Sequence, residues 1–145
     1  MSKPASQNPE QRAFSITNER AQIERAENAV LDALKRFGYP EASVFAVRLA
    51  LEETLVNAFR HGHKNLPPST PAKLTYDINA DRIVIEIIDQ GPGFDPSAVR
   101  DPTLEENLEI PTGRGLLLMR AYMASVDYLG RGNHVRMVYE RPHKA

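Results

Sequence analysis

The sequence predicts a two-layer α/β sandwich in which a mixed, mostly antiparallel sheet carries its helices on one face. Three observations lead to this fold class. Two segments with the apolar spacing of amphipathic helices occupy residues 19–37 and 40–61. An alternating segment and a β-branched apolar segment follow, joined by a tight turn at residues 79–82, and another pair of strands closes the chain around residues 130–133. Strands joined by tight turns run antiparallel, so we expect the helices to stack together on one side of the sheet.

The first two predicted elements are a strand over residues 11–17 and the helix over residues 19–37. The strand alternates apolar and polar residues, and apolar residues recur at helical spacing along the helix. Thr17 or Asn18 is expected to cap the beginning of the helix through its side-chain oxygen. Gly38 is expected to end it.

The second predicted helix, residues 40–61, carries a polar stripe beside an apolar stripe. The apolar stripe consists of Val44, Val47, Leu51, Leu55 and Ala58. The polar stripe consists of Leu49, Glu53, Asn57 and His61. A helix of this kind can line a pocket while it packs on a core. We expect Gly62 to form its C-cap. The residues around that end are expected to be a solvated terminus, with contact to phosphate or a partner as the alternative, namely Arg60, His63 and Lys64.

The later segments read as strands. Residues 72–78 alternate apolar and polar, which predicts a strand with one buried face. Residues 83–88 are nearly all apolar and β-branched, which predicts a central strand with Asp89 at its end. The closing hairpin is expected over residues 125–131 and 134–141.

Between those strands lies a segment without clear periodicity that contains three prolines. A loop of that length inside a compact domain is typical of a lid or a binding loop. We place the lid at about residues 94–115, followed by a short apolar helix over residues 116–123. Residues 1–10 are expected to be a flexible N-terminal tail, and residues 11–145 a single domain.

The overall composition excludes several function classes. The formal net charge is -1, which provides no global field to attract nucleic acid or an anionic membrane. The sequence contains no cysteine, which excludes disulfides and thiolate metal sites and fits a reducing compartment. It contains no segment apolar enough to cross a bilayer. We therefore expect a cytoplasmic protein without direct nucleic-acid or membrane contact.

Glu53 and Asn57 are the candidate catalytic pair. They lie four residues apart on the second predicted helix, so their side chains share one face. A carboxylate can accept the proton of an attacking hydroxyl, and an amide oxygen is a hard ligand suited to Mg²⁺. Glu52 is a rival carboxylate, but it lies about 100° around the helix from Glu53. Taken alone, this spacing is also typical of a solvated helix face.

Two glycine-rich segments follow, Asp89-Gln90-Gly91-Pro92-Gly93-Phe94 and Gly113-Arg114-Gly115-Leu116. In the first, an acidic residue at a strand end can accept a hydrogen bond from an amino group such as adenine N6, and glycines allow close backbone approach. In the second, free N–H groups at a helix start can bind phosphate, with Arg114 adding positive charge. Each segment alone is equally typical of an ordinary turn or helix start.

Together the three segments resemble the N, G1 and G2 boxes of the GHKL ATPases, the Bergerat-fold group, and most of all the small anti-sigma factor serine/threonine kinases. The resemblance covers most of residues 11–140. It implies that Glu53 is the catalytic base, that Asn57 is the Mg²⁺ ligand and that Asp89 binds adenine. The residues implied to bind ATP with its Mg²⁺ are Asn57, Asp89, Gly91, Gly93, Gly113, Arg114, Gly115 and Leu116.

The small size favours the anti-sigma branch, because the chain has no room for the further domains of histidine kinases, gyrases or Hsp90-type chaperones. The resemblance therefore implies an ATP- and Mg²⁺-dependent serine/threonine-protein kinase that acts as an anti-sigma factor. Such proteins bind a sigma factor and phosphorylate a small anti-anti-sigma partner of the STAS type. Relatives commonly pair, so a homodimer is expected.

Two other interpretations stay open. One is a module that binds ATP or ADP and sequesters its partner without phosphoryl transfer. It is favoured by the acidic lid and by Asn133 and His134, which stand where many relatives place a threonine that helps to bind adenine. The acidic lid residues are Glu105, Glu106 and Glu109. The other interpretation is an α/β interaction domain that binds no nucleotide.

Overall fold

The computed structural model describes residues 8–92, 123–130 and 133–142, with only the backbone of residue 61. Within these ranges the chain forms a five-stranded sheet with helices packed on it. The strands are β1 (Glu10–Ile16), β2 (Ala72–Ile78), β3 (Arg82–Ile88), β4 (Ser125–Leu129) and β5 (His134–Glu140). The helical elements are α1 (Arg20–Arg36), α2 (Glu41–Val56) and a π-helical turn (Asn57–Gly62).

The sheet has the strand order β1-β2-β3-β5-β4, and each of the four neighbouring pairs is antiparallel. The α/β sandwich is confirmed, and the described part of the sheet is antiparallel throughout. β3 is the middle strand, as its run of β-branched apolar residues predicts. In register it pairs Ile85 with Tyr76 of β2 and with Met137 of β5, and all three side chains are buried.

One face of the sheet forms the core with the helices. Alternate residues of β2 and β3 are buried, while Lys73 and Asp77 on the other face of β2 are exposed. Both helices contribute fully buried side chains to the same cluster, among them Val30 and Leu34 of α1 and Leu51 of α2. The predicted one-sided stacking is therefore confirmed, and the polar stripe of α2 is held beside the core.

The beginning of α1 differs from the prediction. Glu19 is its N-cap, and neither Thr17 nor Asn18 caps the helix with a side chain. Instead the Gln22 side chain reaches back, and its Oε1 accepts a hydrogen bond of 2.8 Å from the Thr17 N–H. At the other end, Gly38 adopts φ 77°, the left-handed conformation that glycine tolerates best, so its predicted role in ending the helix is confirmed.

The end of α2 also differs from the predicted α-helix over residues 40–61. α-Helical geometry ends at Val56, and the chain then widens into the π-helical turn. The His63 N–H donates to the Ala58 carbonyl five residues back, at 2.8 Å. Gly62 has no positive φ, so it is not a left-handed C-cap. Position 62 needs a glycine for a different reason, which is its close contact with Asp89.

The strands and the hairpin confirm the remaining predictions to within two residues at their ends. The proposed lid at residues 94–115, the apolar segment before Met123 and the first seven residues lie outside the described residues. Among the described helices, none is long and apolar enough to cross a membrane.

A charged cluster attaches the edge strand β1 to the rest of the domain. Tyr76 donates its hydroxyl to the Glu10 carboxylate, and Arg36 of α1 donates two hydrogen bonds of 2.8 Å to it. The Tyr76 hydrogen bond, assisted by Arg36, holds the pKa of Glu10 below its usual value. The carboxylate therefore stabilises the folded state in its ionised form.

We expect Glu10→Gln to destabilise the protein by about 1 kcal/mol at pH 7. This value already allows for the partial exposure of the cluster to solvent. Because the pKa of Glu10 is depressed in the folded state, the stabilisation by its carboxylate is fully present above the unfolded-state pKa of about 4.3. It disappears as the pH falls through the folded pKa. Urea unfolding at pH 7 and pH 3 measures this. Glu24→Gln, which removes an exposed ion pair with Arg20, is the control and should change little at either pH. An equal loss for Glu10→Gln at both values would contradict the assignment.

Candidate functional site

Asp89 lies directly after β3, where the strand end meets β5 and the helical layer. Its N–H donates to the Asn133 carbonyl at 2.9 Å, and the Asn133 side-chain amide donates back to the Asp89 carbonyl at 2.8 Å. Its carboxylate Oδ1 accepts the Gly91 N–H at 2.8 Å. The backbone on both sides is thus fixed, and the carboxylate has a defined direction.

Two glycines let the helix end and the strand end touch. A Cβ on Gly62 would lie 2.7 Å from Cγ and Oδ1 of Asp89, and a Cβ on Gly91 would lie 2.0 Å from the Gly62 carbonyl oxygen. Side chains do not approach other atoms so closely. The Asp89 carboxylate therefore occupies the space that a side chain at position 62 would need, so the ends of the first two sequence segments lie in contact.

Asn57 is the first residue of the π-helical turn and is 9% exposed. Both its Oδ1 and its Nδ2 are buried, and neither has a hydrogen-bond partner among the described residues. A buried polar group without a partner costs about 1–3 kcal/mol. Single π-helical turns occur frequently at functional sites. The amide is therefore placed to receive a ligand, and its oxygen suits a hard cation such as Mg²⁺.

Glu53 precedes Asn57 by one helical turn and is half-buried. Burial, and secondarily the charge of the neighbouring Glu52, raises the pKa of the Glu53 carboxyl. A carboxylate with a raised pKa is a stronger base. Glu52 itself is exposed, so the choice of Glu53 over Glu52 agrees with their different environments.

His63 is a site residue that the sequence analysis missed. It was expected at a solvated terminus, but it is 8% exposed, and its Nε2 accepts the Gln90 N–H at 2.9 Å. Its ring edge packs against Phe59, with centroids 5.5 Å apart. A signal was present in the sequence, because Phe59 and His63 lie four residues apart and both carry a ring. The prediction did not allow for a π-helical turn that rotates this position inward.

Of the other predicted residues, two make hydrogen bonds within the described part of the chain and the rest lie outside it. Asn133 is bound to the Asp89 backbone, and His134 hydrogen-bonds Glu86 at 2.7 Å. Those outside the described residues are Gly93, Gly113, Arg114, Gly115 and Leu116. In the described ranges no group of three or more His, Cys, Asp or Glu side chains is arranged to hold a metal ion.

Comparison with protein families adds to this geometry. Residues 16–139 match the model of the histidine kinase-like ATPase domain. The chain belongs to the histidine kinase-like ATPase family. A comparison with curated proteins finds no match. A histidine kinase-like ATPase domain binds ATP and uses it. The resemblance to the GHKL superfamily is thereby confirmed, and Asp89 and Asn57 are candidate residues of the nucleotide site of this domain.

We expect Gly62→Ala to lower ATP affinity by about tenfold or more, because the added methyl displaces the Asp89 carboxylate. It should also destabilise the fold by about 1–3 kcal/mol through overpacking. Gly130→Ala is the control. That glycine has φ 59°, and among the described residues no atom lies within 4 Å of the added Cβ, so the substitution introduces backbone strain alone. Titration with a fluorescent ATP analogue separates the two variants. Unchanged affinity in Gly62→Ala would refute the proposed contact.

The buried Asn57 amide, which has no hydrogen-bond partner among the described residues, leads to a second prediction. Asn57→Leu should keep or raise the free energy of unfolding by up to about 1 kcal/mol, because it removes buried polar atoms without partners. It should also abolish the part of ATP affinity that depends on Mg²⁺, measured as the difference between titrations with Mg²⁺ and with EDTA.

Thr54→Val is the matched control on the same helix. The Thr54 hydroxyl is buried but satisfied, with hydrogen bonds to the Ala50 and Leu51 carbonyls at 2.7 and 3.1 Å. Its loss should cost about 1 kcal/mol and leave Mg²⁺-dependent binding intact. Strong destabilisation in Asn57→Leu, or Mg²⁺-dependent affinity equal to that of wild type, would show that Asn57 is a structural residue.

Proposed function

We propose that the protein is an ATP- and Mg²⁺-dependent serine/threonine-protein kinase and anti-sigma factor. In this proposal it phosphorylates an anti-anti-sigma partner of the STAS type and binds a sigma factor in a partner-switching system. The observation that carries the proposal is the buried amide of Asn57, which has no partner among the described residues, one helical turn from the Glu53 carboxylate with its raised pKa. ATP binding by the family supplies the phosphoryl donor.

The described side chains suit transfer to a hydroxyl. Glu53 accepts the proton of the incoming serine or threonine, and its raised pKa brings the base closer to the working pH. Asp89 accepts a hydrogen bond from the adenine amino group and orients the nucleotide. The Asn57 oxygen holds Mg²⁺, which offsets phosphate charge when it is bound. Each role belongs to a residue whose position is fixed by the helix end or the strand end.

A groove on the side of α2 that carries Glu52, rather than Glu53 itself, supports a protein partner rather than a small molecule. The open groove of about 610 Å³ lies between α1 and the end of α2 and includes Glu52, the residue next to Glu53. Its apolar lining consists of Ile23, Leu55, Val56 and Phe59, and its polar rim of Asn18, Arg20, Glu27, Glu52 and Arg60. Val56 is 41% exposed there. An apolar centre with a charged rim is typical of protein interfaces.

A second candidate function is sequestration of the partner by an ATP- or ADP-bound module without transfer. Asn133 and His134 favour it, because the structure uses both side chains for contacts within the protein. The two functions share the nucleotide site and differ in the need for Glu53. In either case we expect action in the cytoplasm, and a homodimer as the assembly that the resemblance implies.

Glu53→Gln tests the kinase function. We expect transfer of label from ATP to a serine-bearing anti-anti-sigma protein to fall by about 100-fold or more, with ATP affinity unchanged. Glu52→Gln should retain transfer. Because the Glu52 charge helps to raise the pKa of Glu53, Glu52→Gln should also shift the rise of the transfer rate with pH toward lower pH.

The same pair of variants separates the two candidate functions. Wild-type transfer no greater than that of Glu53→Gln, together with intact sigma-factor binding in both, would favour sequestration over kinase activity. Equal losses in Glu52→Gln and Glu53→Gln would show that neither carboxylate acts as the base.

A further inference from the structure

His63 is fixed from both its backbone and its ring. Its N–H closes the π-helical turn by donating to the Ala58 carbonyl at 2.8 Å. Its ring meets the Phe59 ring edge-on at an interplanar angle of 80°. The side chain is buried, so packing sets the direction in which its ring nitrogen Nε2 points.

That ring nitrogen, Nε2, accepts the Gln90 N–H at 2.9 Å. A nitrogen that accepts carries no proton, so the proton of the imidazole is on Nδ1. Gln90 stands between Asp89 and Gly91, and its own side chain donates to the Pro71 carbonyl at 2.9 Å. The imidazole therefore binds the backbone in the middle of the segment that presents the Asp89 carboxylate.

Three successive N–H groups hold this segment, and each has a different acceptor. The Asp89 N–H donates to Asn133, the Gln90 N–H to His63 and the Gly91 N–H to the Asp89 carboxylate. Of these three bonds, the one to His63 alone joins the strand end to the helical layer. Gly62 and Gly91 permit the close approach of the two elements, but a glycine supplies clearance and no attraction. The imidazole supplies the attraction.

We propose that His63 is a positioning residue for Asp89, and that it sets the selectivity of the nucleotide site for adenine over guanine. Adenine presents an amino donor where guanine presents a carbonyl oxygen. A carboxylate accepts a hydrogen bond from the first and repels the second, but only when it is held at hydrogen-bond distance. The proposal rests on the nucleotide site of the proposed function and does not depend on phosphoryl transfer.

Two substitutions at position 63 separate positioning from packing. His63→Phe keeps an aromatic ring against Phe59 and removes the acceptor. His63→Gln places an amide oxygen near the position of Nε2 and restores the acceptor. We expect His63→Phe to lower ATP affinity about tenfold and GTP affinity less than about twofold, whereas His63→Gln stays within about threefold of wild type for both. Fluorescent analogues of ATP and GTP measure the four affinities.

Tyr39→Phe is the control for a general loss of stability. It removes a hydrogen bond of 2.8 Å from the Tyr39 hydroxyl to the Asn79 carbonyl, at the opposite end of β3. It should leave the ratio of ATP to GTP affinity unchanged. The proposal is overturned if His63→Phe keeps the wild-type ratio, or if His63→Gln loses it as fully as His63→Phe does.

The same titrations distinguish failure of this proposal from failure of the proposed function. A wild-type protein that binds ATP selectively but transfers no phosphate overturns the kinase proposal alone. A wild-type protein without saturable ATP binding overturns the nucleotide site and the role of His63 together.

The tautomer of the His63 imidazole can be measured on the wild-type protein, so this test does not depend on whether a variant at position 63 folds. Long-range ¹H–¹⁵N NMR spectra of the imidazole rings report which nitrogen carries the proton. We expect His63 to be the Nδ1–H tautomer, and its Gln90 partner amide to exchange slowly with solvent. An Nε2–H tautomer at His63 would overturn the proposal, because that nitrogen could then not accept the Gln90 N–H.

Discussion

The candidate site depends on one steric constraint, the absence of a side chain at Gly62 and Gly91. The end of the α2 layer and the end of β3 approach until the Asp89 carboxylate fills the space beside the Gly62 Cα. Any larger residue at either position would separate the two elements. Every polar group of the site is placed relative to this contact: Asn57 and Glu53 on the helical side, and Asp89 with its hydrogen-bonded backbone on the strand side.

The sheet determines where that contact forms. Antiparallel pairing on both sides of β3 fixes its last residues against β2 and β5, so Asp89 is carried by the most firmly held strand of the fold. The fully buried residues of α2 hold the helix on the same sheet, and Gly62 beyond its end contacts Asp89 at the strand end. The core thus acts as a rigid support for side chains that belong to two elements far apart in sequence.

Much of this arrangement could be predicted from residue patterns. Alternation identified β2, a run of β-branched apolar residues identified β3 and marked Asp89 at its end, and helical spacing identified α1 and α2. Local spacing could not reveal the π-helical turn, because the turn results from tertiary packing at the helix end. The errors at Gly62 and His63 have this single cause. A left-handed C-cap and a solvated terminus were expected where the extra residue of the turn directs Gly62 toward Asp89 and His63 toward Gln90.

The departures from ordinary local structure concentrate in two short segments, residues 57–63 and 89–91. They include the π-helical turn, the Asn57 amide with no partner in the described part of the chain, the raised pKa of nearby Glu53 and two glycines in close contact. The buried Asn57 amide and the raised pKa of Glu53 lower the stability of the unliganded protein, and both are held in place by a core that otherwise follows the usual rules of packing and pairing. A ligand that coordinates the Asn57 oxygen would satisfy a buried group that has no hydrogen-bond partner among the described residues. The free energy of binding then includes relief of this cost, because the receptive geometry already exists before the ligand arrives.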